Sequence, residues 1–77
     1  MDRRTLNMLD DFHDALDRGW VDSAKTALEQ LEYADLDREA ISGLAASEWR
    51  YNRLAMKVRN QRALMDTWNR IIGKLTR

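Results

Sequence analysis

The run Trp49-Arg50-Tyr51-Asn52-Arg53-Leu54-Ala55, continuing to Met65-Asp66-Thr67-Trp68-Asn69-Arg70-Ile71-Ile72-Gly73-Lys74-Leu75, carries the strongest pattern in the chain. Extended backwards, apolar or neutral residues recur at Ala40, Leu44, Ser47, Tyr51, Leu54, Val58, Gln61, Met65, Trp68, Ile72 and Leu75. Steps of four and three alternate, which is the period of a helix with a coiled-coil seam. No proline interrupts it. The pattern predicts one long helix over 37–75. Gly43 costs roughly 1 kcal/mol against alanine inside a helix, so it marks a bend near Ser42-Gly43 and does not force a break.

Length gives this spine a consequence. As one helix it would be about 58 Å long at ~1.5 Å per residue, whereas a compact chain of this size has a radius of gyration of about 11–12 Å. Two shorter upstream helices cannot cover both of its ends. Either the spine bends, or its apolar end is covered by another molecule. The second is favoured, with Met65, Trp68, Ile71, Ile72 and Leu75 as the self-association surface of a homodimer or as a partner site, since a large exposed apolar patch marks an interface.

Upstream, Leu6, Leu9, Phe12, His13, Leu16 and Trp20 cluster on one side of a first helix at about 5–18. Thr5 suits its N-cap and Gly19 its left-handed C-terminal position. Asp10, Asp14 and Asp17 form an acidic stripe on the other side. A second helix at about 22–34 has Asp22 as N-cap candidate and Val21 as hydrophobic staple. Its apolar face carries Val21, Ala24, Ala27, Leu28, Leu31 and Ala34. The short connection implies a helical hairpin. Asp35 or Asp37 caps the third helix, with Glu39 adding favourable charge to its first turn. The expected fold is all-α: a short helical hairpin packed on one long third helix, self-associating as a homodimer, with 1–77 as a single helical domain.

The 77 residues contain no cysteine and a single histidine, His13. Disulfides, thiolate zinc sites and histidine-rich metal sites are thereby excluded. Absence of cysteine fits a cytoplasmic protein. No secretory signal follows Met1, and no apolar run reaches the roughly 20 residues that span a bilayer. No membrane role is expected, and neither a cofactor nor a metal. Catalysis has little support. His13 reads as a half-buried packing residue, and no glycine-rich phosphate loop is present. The acidic stripe does not wrap a cation as calcium requires.

Net charge is zero, but it is unevenly distributed. Residues 1–48 carry twelve acids and five bases, and residues 49–77 carry one acid and eight bases. Such asymmetry points to a charged partner or to pairing between the halves. Arg50, Arg53 and Lys57 share one side of the third helix, while Arg59, Arg62, Arg70, Lys74 and Arg77 occupy another. Interspersed Asn52, Asn60 and Gln61 make a nucleic-acid surface conceivable, with Arg59, Arg62, Arg70 and Lys74 as its contacts. The zero net charge opposes that reading.

Tyr33, Asp37, Glu39, Ala46, Glu48, Arg50, Leu54, Met56 and Trp68 together resemble the Hha/YmoA family of small bacterial regulators. In that family a tyrosine precedes an Asp-x-Glu start of the third helix. An Ala-Ala-acid-His-Arg segment follows, then a leucine, a methionine and, twelve residues on, a tryptophan. Asp22 falls where the family has an aspartate starting its second helix. The likeness needs no gaps and covers most of the chain. This sequence departs from it at Trp49 in place of histidine, at Glu48 in place of aspartate, and at Ala63-Leu64 in place of a proline-containing turn, so the last helix reads as continuous.

The resemblance implies a non-enzymatic adaptor that binds the dimerisation region of an H-NS-like nucleoid protein and modulates gene silencing. Asp37, Glu39 and Glu48 are then the acidic residues meeting basic residues of the partner. Trp49, Arg50 and Arg53 complete the expected partner-binding set. The overall expectation is a small regulatory protein acting by protein–protein binding, as adaptor or inhibitor. The alternatives are a phage or mobile-element inhibitor of a host protein, and a nucleic-acid binder using the arginine-rich third helix.

Overall fold

A computed structural model describes residues 2–77. Among these, five helices and no strand are found: α1 Arg3–Arg18, α2 Val21–Leu31, α3 Arg38–Ala45, α4 Glu48–Ala55 and α5 Gln61–Leu75. The all-helical expectation holds, and the hydrophobic core is formed by one chain. The long third helix does not hold. Its span is divided into α3, α4 and α5, and the longest dimension of the molecule is 34 Å.

Local chemistry sets most of the ends. Asp2, rather than Thr5, caps α1: its carboxylate accepts the Thr5 amide at 2.8 Å, and Thr5 itself is buried inside the helix. Hydrogen bonding from Thr5, first from its side chain and then from its amide, holds the Asp2 carboxyl below its usual range. At the other end, Gly19 adopts φ +78°, the Trp20 amide reaches back to the Ala15 carbonyl, and the Gly19 amide to Leu16. This paired closure is what a left-handed glycine permits. Asp22 is not the cap of α2. It lies in the first turn, where its charge suits the helix dipole. Helix α2 stops at Leu31, and Tyr33 and Ala34 continue only as tight turns. Asp37 caps α3 through the Ala40 amide at 2.8 Å.

The two further breaks use neither proline nor glycine. After Ala45 the Ser47 amide bonds to Leu44 and the Ser47 hydroxyl to the Gly43 carbonyl. Such back-bonding bends helices. After Ala55 the amides of Lys57 and Val58 take the tighter i−3 pattern to Leu54 and Ala55. Gly43 lies inside α3 and is not the bend.

The breaks return the apolar residues of 38–75 to one core. Leu44 of α3, Tyr51 and Ala55 of α4, and Leu64, Trp68 and Ile71 of α5 are all buried. They join Phe12, Leu16, Leu28 and Leu31 of the α1–α2 pair. Three aromatics from three helices stack at the centre: Phe12, Tyr51 and Trp68, with the last two rings 4.8 Å apart. Ring pairs of this kind add about 0.5–1.5 kcal/mol beyond burial. The Tyr51 hydroxyl donates to the Leu64 carbonyl at 2.9 Å, tying α4 to α5.

Two residues of the expected self-association surface are therefore internal. Trp68 is 1% exposed and Ile71 fully buried. Met65, Ile72 and Leu75 are half-buried and packed against the core. Folding the spine back covers this apolar end with the chain itself. Conversely, Leu6 and Trp20, assigned to the apolar side of the first helix, are exposed, since the Gly19 turn carries Trp20 off that face.

Candidate interaction surface

The charge asymmetry is partly closed within the molecule. Arg50 of α4 pairs with Asp17 of α1, and Arg70 of α5 pairs with Glu32. The Asn60 amide donates to Asp22 at 3.1 Å. Glu32 is buried at the C-terminal end of α2, where the helix dipole disfavours an acid, and Arg70 offsets that. Beside it, Lys74 lies over the Tyr33 ring at 5.3 Å. The Tyr33 hydroxyl is held above its usual range, first by a hydrogen bond with Glu32. Of the four arginine and lysine side chains expected to contact nucleic acid, Arg70 and Lys74 thus have intramolecular partners.

Arg59 and Arg62 remain exposed, as do Arg53 and Lys57. Among the described residues these four take part in no ion pair. They follow one another along α4, the turn after it and the start of α5. The helical period explains their exposure. Tyr51 and Ala55 point into the core, so Trp49, Arg53 and Met56 fall on the outward side at i, i+4 and i+7. Trp49 is 63% and Met56 69% exposed.

Between α1 and α4 lies a shallow depression of about 250 Å³, lined by Leu16, Trp49, Arg50, Arg53, Leu54 and Lys57. Leu16 and Leu54 supply an apolar floor. Gly19 lies against Leu54, where an added Cβ would sit 3.9 Å from Leu54 Cδ2. The Arg50–Asp17 pair is neutral overall, so Arg53 and Lys57 set the local charge.

The expected partner-binding set divides between elements. Trp49, Arg50 and Arg53 come together around this depression. Asp37 and Glu39 belong to the start of α3, and Glu48 to the start of α4, each exposed. All three complement a helix dipole, and the Asp37 carboxylate is also engaged as a cap. Met56 figures in the sequence reading only through the family resemblance and not in the expected partner-binding set, although its position seven residues after Trp49 is a readable signal. Leu16 and Leu54 as a floor required the packing of α1 on α4.

Other features offer little for chemistry. His13 is half-buried with its ring edge-on to Phe12 at 5.4 Å. Asp14 pairs with Arg18 along α1. Among the described residues, no three His, Cys, Asp or Glu side chains gather to hold a metal ion, and no helix is long and apolar enough to cross a membrane. Comparison of the chain with protein-family models, with curated proteins and with solved structures returns no match.

Proposed function

We propose that this protein is a small non-enzymatic regulator, an adaptor or inhibitor, that works by binding another protein through the α1–α4 depression. The observation that carries this reading is a largely exposed Trp49 over an apolar floor, flanked by Arg53 and Lys57, which take part in no ion pair among the described residues. Tryptophan and arginine are the residues most enriched among binding hot spots. The resemblance to the Hha/YmoA regulators suggests one partner class, the dimerisation region of an H-NS-like protein. Asp37, Glu39 and Glu48 would then form a second, acidic contact.

The test compares capture from a bacterial lysate by the wild-type chain and by Trp49→Ala. Both substitution and assay are clean, because Trp49 lies outside the core. A specific protein retained by the wild type and lost with Trp49→Ala is expected. Equal retention by both baits would move the binding site away from this depression.

A second reading has its own observation. Arg53, Lys57, Arg59 and Arg62 are exposed basic residues that follow one another along the chain, and Arg53 and Lys57 line the same depression as Trp49; aromatic-plus-basic surfaces bind single strands. It requires gel shifts at low salt that fade steeply as salt rises.

A further inference from the structure

We infer that the occupant of the α1–α4 depression is an acidic amphipathic helix that places one aliphatic anchor against Leu16, Leu54 and Trp49 and its carboxylates on Arg53 and Lys57. This deepens the proposal of a protein-binding role and rests on it.

Charge complementarity fixes the sign of the occupant. Of the cationic groups at the depression, Arg50 is already matched by Asp17. Arg53 and Lys57 are exposed and take part in no ion pair among the described residues. A basic segment would meet two like charges, whereas an acidic one supplies the missing partners. Arg59 follows two residues later and extends the same sign.

The apolar component excludes a purely electrostatic occupant. Leu16 and Leu54 line the floor and Trp49 forms a wall. The depression is shallow and about 250 Å³, below the roughly 300–1,000 Å³ of small-molecule pockets, which favours an aliphatic anchor from a protein partner. Spacing suggests the occupant's form. Trp49 and Arg53 are one turn apart on α4, about 6 Å at ~1.5 Å per residue, and Lys57 follows in the turn just beyond Ala55. A short opposing helix can meet all three from one face. An anchor flanked by acids three or four positions away would present both features on one face.

The experiment uses the full chain with Trp20→Phe. Trp20 is exposed on another part of the molecule, and Trp68 is buried, so the solvent-sensitive fluorescence then reports Trp49. Four probes are titrated at low and high salt. They are an amphipathic peptide of about fourteen residues with a leucine anchor and flanking glutamates, its lysine counterpart, its Leu→Ser counterpart, and a single-stranded oligonucleotide. The expected result is saturable binding of the acidic amphipathic peptide. Affinity should fall about tenfold or more with Arg53→Glu/Lys57→Glu or with loss of the leucine, and it should weaken with added salt.

Equal binding of the lysine peptide or of the Leu→Ser peptide would overturn the inference. So would tighter binding of the oligonucleotide, or no saturable change with any probe. These outcomes are separable from failure of the broader proposal. If lysate capture depends on Trp49 while the acidic peptide does not bind, protein binding at this face stands and the acidic helix is wrong. If capture is independent of Trp49, the broader proposal itself fails.

Discussion

Tyr51→Phe should exchange stability at neutral pH for stability at alkaline pH, and the two curves should cross. The Tyr51 side chain is fully buried between Phe12 and Trp68, and its hydroxyl donates to the Leu64 carbonyl. Removing that hydroxyl costs one hydrogen bond, about 1 kcal/mol net. The phenol is pushed from 10.0 up to about 12, by burial first and then by the negative charges of Glu29 and Asp22. In the folded chain it therefore stays protonated at a pH where the unfolded chain has lost the proton. The folded state then binds more protons than the unfolded one, so stability falls as pH rises. The contribution is whole below pH 10 and is lost between about pH 10 and 12. Two units correspond to about 3 kcal/mol at 1.36 kcal/mol per unit.

Phenylalanine has no such proton. The variant should be about 1 kcal/mol less stable at pH 7, equal to the wild type between pH 10 and 11, and more stable beyond that. All other ionisable groups are the same in both proteins and cancel in the difference. Urea unfolding followed by far-ultraviolet circular dichroism from pH 7 to 11.5 measures it. Parallel curves over the whole range would refute the reasoning, because they would mean that Tyr51 ionises equally in both states.

Three further outcomes are expected. Trp68→Ala should cost about 3–5 kcal/mol, a large fraction of the whole stability of a small domain; a cooperative urea transition within 1 kcal/mol of the wild type would place Trp68 outside the core. Gly43→Ala should stabilise by about 0.5–1 kcal/mol, since Gly43 is helical with nothing within 4 Å of an added Cβ, while Gly19→Ala at φ +78° should destabilise by about 1 kcal/mol. Thermal melts of the two variants moving in the same direction would contradict this assignment of bend and helix. Sedimentation at two concentrations a hundredfold apart should return the 9.1 kDa mass of one chain, because Trp68 and Ile71 are covered internally; a dimer at the lower concentration would mean that another face associates.

Helix content, the left-handed Gly19 turn, an aspartate cap at Asp35 or Asp37 and the apolar face of α2 were legible in the residues, because each depends on neighbours a few positions away. Proline-free composition and regular apolar spacing are local properties too, and they announced helix correctly for most of 37–75. The same spacing suggested one long helix, bent at most near Gly43, and there the reading failed. A seam of alternating three and four steps looks alike whether a second molecule or the chain itself covers it.

Tertiary packing made the choice between those two. The rod is broken at Ala46-Ser47 and again over 56–60, and the amides of Ser47, Lys57 and Val58 keep backbone partners there in the tighter i−3 pattern. With the chain so folded, Leu44, Tyr51, Leu64, Trp68 and Ile71 all leave water, at about 25 cal/mol per Å² of apolar surface. The breaks also shift the helical phase, so Leu64 and Ile71 face inward where the uninterrupted seam would have chosen Met65 and Ile72. The candidate surface depended on the same event. Trp49 and Arg53 are adjacent in any helix, but Leu16 becomes the floor beneath them only once α4 is laid against α1, a contact between residues more than thirty positions apart that no local pattern encodes.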